Sequence, residues 1–224
     1  DDSDVQMCRG LIIDKETNSI LCCPPTKSVP LENFLEKVDK WDNVICDKFI
    51  DGTMINIFYH NNEWKISTRS CIGARNRWFS DKSFSEMFNE CKDFDMEQLD
   101  KDCCYTFVLT HKDNRIVKEY SDSGLWLVSA RKRIVDESAS NTSFIGLDLL
   151  DVQITLKERG VNVDIPERYV FESFDEARIN VNKLDYQEQG YIFKLNGMRA
   201  KIRNINYDWV KKLRGNTNNM KFLY

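Results

Sequence analysis

The segment spanning residues 46–69 constrains the fold more than any other part of the chain. An apolar strand pattern runs into the turn Asp51-Gly52-Thr53. Two runs of alternating apolar and polar residues follow, joined by the polar residues 60–63. Alternation with a period of two is typical of strands that bury one face. The segment therefore predicts a strand, a tight Asp-Gly turn and a β-hairpin in succession.

Strand patterns outnumber helical patterns elsewhere, and the two are interleaved. Hairpins are predicted over residues 8–23 and over residues 191–203, the latter with Asn196-Gly197 at its tip. Residues 116–120 predict a strand, and Ser80 is the predicted cap of a helix running to residue 94. The polar residues 136–143 predict a surface loop before a helix that ends near residue 160. We expect an α+β fold, in a single domain over residues 1–224.

Composition excludes several classes of protein. The net charge of −4 argues against a dedicated nucleic-acid coat protein. Eight cysteines without a C-x-x-C spacing, and two histidines, argue against a zinc site, and we expect no metal site formed by the protein alone. Most of the cysteines lie within apolar runs and there is no secretion signal, which together indicate a reducing, intracellular (cytoplasmic) location. No apolar run reaches about 20 residues, so we expect no membrane span. Because the chain begins without methionine, we expect it to be a piece of a longer polypeptide.

Six short motifs occur in order along the chain: Arg9-Gly10, Asp51-Gly52-Thr53, Ser67-Thr68-Arg69, TFVLTHKDNRIV at 106–117, Gln189-Gly190-Tyr191 and Lys201-Ile202-Arg203. In this order they resemble the ATP-dependent RNA ligases of phages and viruses. These belong to a superfamily of covalent nucleotidyltransferases with DNA ligases and capping guanylyltransferases. The resemblance covers nearly the whole chain.

The resemblance implies an antiparallel nucleotidyltransferase core, an ATP-grasp-like adenylation domain of two sheets with flanking helices. Its cleft would lie between the sheets, with the Asp51-Gly52 turn at its base. ATP and Mg²⁺ would be the cofactors if the protein is active. The residues implied in nucleotide binding are Arg9, Asp51, Gly52, Arg69, Gln189, Lys201 and Arg203.

The sequence departs from the family pattern at three positions. The family motif K-x-D-G places its nucleophilic lysine where this chain has Phe49, and the nearest lysine is one residue earlier, at Lys48. The acidic residues of two further motifs are replaced by Val108 and Gln189, although Glu188 precedes the second. Mg²⁺ sites usually need carboxylate ligands, so the departures argue against an adenylylation site.

Lys48 has two interpretations. A β-bulge would turn its side chain into the cleft, where it could serve as the catalytic nucleophile. In a regular strand Lys48 points to solvent, and Phe49 fills the place of the lysine.

Three functions follow from these interpretations. The leading hypothesis is a catalytically degenerate pseudo-ligase that binds RNA, a nucleotide or a protein partner. The first alternative is an active ATP-dependent RNA ligase that forms lysyl-AMP at Lys48 and seals a 5′-phosphate to a 3′-hydroxyl. The second is a structural or interaction module that binds no nucleotide.

Overall fold

The computed structural model of the chain describes residues 8–78, 80–136 and 141–215. Its strands are β1 (Ile12–Ile13), β2 (Ile20–Cys22), β3 (Ile45–Lys48), β4 (Thr53–His60), β5 (Glu63–Ser67), β6 (Cys103–Thr110), β7 (Gly124–Asp136), β8 (Asn141–Gly146), β9 (Arg168–Tyr169), β10 (Gly190–Leu195) and β11 (Met198–Arg203). The helices are α1 (Leu31–Leu35), α2 (Phe84–Cys91), α3 (Leu149–Glu158), α4 (Phe174–Val181) and α5 (Ile205–Arg214).

The strands form two large antiparallel sheets and one small hairpin. The five-stranded sheet has the order β5-β4-β6-β7-β8, and the four-stranded sheet has the order β11-β10-β3-β9. The β1–β2 pair forms a separate two-stranded sheet. The predicted α+β class, with two antiparallel sheets and flanking helices, is confirmed.

Each large sheet buries one face under helices. The five-stranded sheet packs against α2 and α3 around Phe88, Phe107 and Leu156. The four-stranded sheet packs against α1 and α4 around Phe34 and Phe193, whose rings stack with centroids 6.2 Å apart. Apolar burial of this kind stabilises each half by roughly 25 cal/mol per Å² removed from water. The opposite faces of the two sheets remain to form a cleft, except where the β1–β2 hairpin packs on Phe58 and Cys104 of the five-stranded sheet.

The cleft between the sheets holds a cavity of about 490 Å³. Met54 and Val108 line it from the five-stranded sheet, and Ile192 and Lys194 line it from β10. This volume lies within the range of small-molecule sites. The predicted position of a cleft between two sheets is therefore confirmed.

Several local predictions need correction. The helix predicted from Ser80 begins after Ser83, whose side chain and that of Glu86 form the capping box. Residues 116–120 form no regular strand, because their backbone is held by Asp51 instead of a ladder partner. The predicted loop over residues 136–143 is largely replaced by the ends of β7 and β8, and residues 137–140 lie outside the described part of the chain.

The tip of the β10–β11 hairpin matches its prediction. Asn196 and Gly197 both have positive φ, 47° and 79°. Such a pair is typical of two-residue hairpin turns, whose twist matches that of the flanking strands. The turn fixes the register of β11 and hence which of its side chains face the cleft.

The described helices are short, the longest having ten residues. Within the described ranges, none combines the length and apolar character needed to cross a membrane.

Candidate functional site

The two faces of β3 have different surroundings. Lys48 lies opposite Tyr191 and Asp47 opposite Ile192 in the ladder with β10. Directly opposed residues share a face of the sheet. Tyr191 belongs to the core under α4, whereas Ile192 lines the cleft. Lys48 therefore points to the core side of β3, although at the end of this strand it also lines the cavity and a smaller pocket beside it.

Lys48 is held in an ion pair at the rim of that core. Its Nζ lies 3.0 Å from Oε2 of Glu188, and Lys118 bonds the other carboxylate oxygen. Burial alone would raise the pKa of Glu188, but hydrogen bonds from Lys118 and Lys48 lower it below its usual value. One carboxylate is therefore shared by two lysine side chains.

Phe49 faces the cleft instead. Its backbone N–H donates to the carbonyl of Gly190 over 2.9 Å, and Gly190 is paired with Arg203 on the next strand. The guanidinium carbon of Arg203 lies 5.7 Å from the centroid of the Phe49 ring, within cation–π range. The aromatic ring thus occupies the cleft side of the strand, next to a cation.

Asp51 is a buried structural anchor. Its Oδ2 accepts hydrogen bonds from the backbone N–H groups of Val117 and Lys118, both over 3.0 Å. Its Oδ1 accepts a hydrogen bond of 2.7 Å from the hydroxyl of Tyr207, and its carbonyl accepts one from Tyr120. The aspartate joins the turn after β3 to the segment after β6 and to α5. Its carboxylate is therefore already engaged by the protein.

Gly52 allows this turn to approach β6. A Cβ atom at this position would meet the backbone carbonyl of Leu109 and would lie 2.7 Å from Cγ1 of Val108. Only glycine fits so close to a neighbouring strand. The predicted residue Gly52 thus shapes the base of the cleft.

A set of neighbouring cations lies beside the cleft, and we call it the cationic wall: Arg9, Arg69, Arg131, Arg199, Lys201, Arg203 and Lys211. Arg131 and Arg199 line the cavity itself. Burial and the charges of Arg9 and Arg131 lower the pKa of Arg199 to about 10. Burial and then the charges of Arg203 and Arg9 lower the pKa of Lys201. These shifts indicate positive charges held close together and short of counter-ions.

Two guanidinium groups of the wall have unused donors. Among the described residues, the buried Nε atoms of Arg199 and Arg203 have no hydrogen-bond partner. Arg203 uses Nη1 to bind Asp208 at 3.2 Å. Buried donors are normally satisfied, so these two indicate an acceptor that the protein does not itself provide. Phosphate oxygens suit arginine forks in geometry and charge.

The acidic side chains around the cleft are poor candidates for metal ligands. Asp47 is buried and pairs with Arg168 at 3.3 Å and with Lys194 at 2.7 Å. Val108 lines the cavity, and Gln189 is buried beside it. No cluster of three or more potential metal ligands was found in the described ranges. Since Mg²⁺ binds hard oxygen ligands, the residues present do not fit a protein-ligated Mg²⁺.

The structure brings some of the predicted site residues together and separates others. Arg9, Arg69, Lys201 and Arg203 all belong to the cationic wall. Asp51 and Gly52 lie at the base of the cleft, where they contact other parts of the protein. The backbone carbonyl of Gln189 accepts a hydrogen bond from the backbone N–H of Asn204. Lys48 lines a small pocket with Asp51 and Gln189, but its side chain shares the sheet face of Tyr191 and not that of the wall.

Sequence reasoning did not assign three members of the wall to the cleft: Arg131, Arg199 and Lys211. Arg199 follows the same alternation as Lys201 and Arg203 on β11, which was a usable signal. Arg131 and Lys211 lie on β7 and α5, so their place in the cleft depends on tertiary structure.

Comparison with known proteins agrees with the motif resemblance. No protein-family model matches the chain. The chain is 26% identical over 225 aligned positions to an Autographa californica nuclear polyhedrosis virus protein described as "Putative bifunctional polynucleotide kinase/RNA ligase". The alignment covers 89% of this chain and 30% of that protein. The predicted resemblance to RNA ligases is confirmed. The chain spans less than a third of the length of this relative.

Solved structures show the same fold. An archaeal ATP-dependent RNA ligase superposes with a TM-score of 0.58 at 13% identity, covering 88% of this chain and 52% of the ligase. An RNA ligase of Naegleria gruberi superposes with a TM-score of 0.57 at 12% identity, covering 84% of this chain and 57% of the ligase. Other structures of the Naegleria gruberi ligase contain ATP and Mn.

Proposed function

Because the chain has the nucleotidyltransferase fold of the ATP-dependent ligases, we propose that it is a ligase-derived binding domain. It holds the phosphates of a nucleotide or of an RNA strand in the cleft without forming a covalent lysyl-nucleotide. The observation that carries this proposal is the orientation of β3. The Phe49 ring faces the cleft, while the Lys48 amine lies on the opposite face in a salt bridge with Glu188.

The position of Lys48 argues against nucleophilic attack. A lysine attacks only as the neutral amine, so covalent enzymes lower its pKa by burial or by neighbouring cations. The Lys48 amine instead lies 3.0 Å from the Glu188 carboxylate, so a salt bridge holds it in place. Its side chain would also have to cross to the other face of the strand to meet a phosphate on the cationic wall. We therefore assign Lys48 to structure and not to catalysis.

The cationic wall supports phosphate binding. Arg199, Lys201 and Arg203 alternate along β11 and span roughly 13 Å at the usual rise of a strand. The unused buried Nε donors of Arg199 and Arg203 favour a ligand with many acceptor oxygens. The wall supplies charge that a metal ion would otherwise supply. ATP, which related ligases bind with a metal, is therefore proposed as a noncovalent ligand, and an RNA 5′-phosphate end is the other candidate.

The cysteines support a proposal about location. Seven of them, from Cys22 to Cys104, are free thiols in the structure. Free buried thiols beside one another persist in reducing compartments, which supports an intracellular site of action.

Two measurements test the proposal together. The purified chain is incubated with ATP labelled at the α-phosphate, with Mg²⁺ or Mn²⁺, and then separated by denaturing electrophoresis. Calorimetry measures noncovalent binding of ATP, GTP and short RNAs to the same preparation. We expect binding by calorimetry and no label on the protein.

Variants of the two lysines that share Glu188 decide what a label would mean. An acid-labile label that disappears in Lys48→Ala but persists in Lys118→Ala would instead identify an active ligase. Failure of every nucleotide and RNA to bind would favour an interaction module.

A further inference from the structure

Phe49 is an aromatic side chain that the packing of the molecule does not use. It is half-buried, and it belongs to none of the three apolar clusters found among the described residues. It lines the cavity between the sheets and a smaller pocket beside it. Large apolar side chains are normally drawn into a core. A phenyl ring at the surface of a cleft can stack against a flat ligand.

The surroundings of the ring match a nucleobase. Met54, Val108 and Ile192 give the cavity an apolar lining, and Arg203 and Arg199 place positive charge beside it. A flat heterocycle attached to phosphates would contact both kinds of surface at once. Proteins that bind single strands combine a cationic track with aromatic rings on which bases stack. A cavity of about 490 Å³ has room for one nucleoside.

From this geometry we infer that Phe49 is a stacking platform for a nucleobase whose phosphates lie on the cationic wall. This inference rests on the proposed function and assigns a positive role to the residue that replaces the nucleophile. The base belongs either to a free nucleotide or to the end of an RNA strand, and the chemistry of stacking is the same for both. The ring would thus select ligands with a base over bare polyphosphate.

Conservative changes at Phe49 test the role of the aromatic face. Phe49→Leu keeps an apolar side chain and removes the π-face, whereas Phe49→Trp keeps an aromatic ring. The ligands are ATP, a short 5′-phosphorylated oligoadenylate, the same oligomer with an abasic first residue, and inorganic tripolyphosphate. Calorimetry gives the dissociation constant of each ligand for each protein.

We expect Phe49→Leu to weaken binding of ATP or the intact oligomer by about 5- to 100-fold. Binding of tripolyphosphate should not change, and Phe49→Trp should restore the affinity. A loss confined to ATP identifies a mononucleotide ligand, and a loss confined to the intact oligomer identifies a strand end.

Other results separate failure of this inference from failure of the proposed function. Equal losses for ATP and tripolyphosphate, or no loss for any ligand, would overturn stacking while leaving phosphate binding intact. A wild-type protein that binds none of the four ligands would overturn both.

Discussion

The Asp51 anchor and the cationic wall are neighbouring regions of one cleft, and they differ in how well their charges are satisfied. Each oxygen of the Asp51 carboxylate accepts hydrogen bonds from within the protein. In the wall, cations lower one another's pKa, and the Nε atoms of Arg199 and Arg203 have no partner among the described residues. The anchor is complete without a ligand, and the wall is not.

This difference separates stability from function. A buried carboxylate with several hydrogen bonds stabilises the folded state, and removing it leaves donors unpaired. Like charges held together destabilise the folded state, and they are retained where an anion offsets the repulsion. Changes in the anchor should therefore lower the free energy of unfolding, whereas changes in the wall should lower ligand affinity. The following predictions test that division.

The largest effect is expected for Asp51→Ala. The change leaves the N–H groups of Val117 and Lys118 and the hydroxyl of Tyr207 without their acceptor. We expect a loss of about 3–5 kcal/mol in the free energy of unfolding, measured by urea denaturation. Asp175→Ala is the control, because Asp175 is 73% exposed in a surface ion pair with Arg178. Equal stability of the two variants would contradict the anchor role.

The next effect is expected for Gly52→Ala. The added methyl group would lie 2.7 Å from Cγ1 of Val108 and against the carbonyl of Leu109, so the turn or β6 must shift. We expect a loss of about 1–3 kcal/mol in the free energy of unfolding. Gly146→Ala is the matched control, since a Cβ atom at Gly146 has nothing within 4 Å. A Gly52→Ala protein as stable as the control would show that the close approach is not rigid.

The sequence predicted the features that depend on local patterns. The hairpin around Asn196-Gly197 and the strands flanking the Asp51-Gly52 turn follow from turn chemistry and alternation, which act over a few residues. Asp51 meets Tyr207 over 156 positions of sequence, and no local pattern contains that contact. Asp51 also binds the backbone N–H groups of Val117 and Lys118, which explains why residues 116–120 were wrongly predicted as a strand.

The orientation of Lys48 shows a second limit. Two interpretations were open because a bulge and a regular strand place its side chain on opposite faces. The ladder with β10 decides between them by pairing Lys48 with Tyr191. The cationic wall was predicted in part, from Lys201 and Arg203 on one strand. Arg131 joins it from the other sheet, which requires the tertiary structure.

In the wall, we expect Lys201→Gln to have opposite effects on stability and on binding. Removing one of several repelling charges should raise the melting temperature slightly, because burial and neighbouring cations already lower the pKa of Lys201. Affinity for tripolyphosphate should fall about tenfold through loss of one charge-assisted contact. Thermal unfolding and calorimetry measure the two effects.

The control for Lys201→Gln is Lys183→Gln, which removes an exposed lysine outside the wall. It should change neither quantity. A Lys201→Gln protein that is less stable and binds tripolyphosphate as tightly as wild type would contradict the assignment of Lys201 to function.

The smallest effect concerns Glu188, which lines a small pocket with Asp51 and pairs with Lys48 and Lys118. Its pKa is lowered in the folded state, so its contribution to stability is present above the unfolded value of about 4.3 and is lost as pH falls through the lower, folded value. We expect Glu188→Gln to be less stable than wild type at neutral pH and the difference to shrink below pH of about 4. Urea denaturation at neutral pH and below pH of about 4 measures the difference in the free energy of unfolding. Because the Glu188 side chain is 24% exposed, this difference should be well below the loss for Asp51→Ala. A difference that stays constant across this range would mean that Glu188 acts through packing and not through its charge.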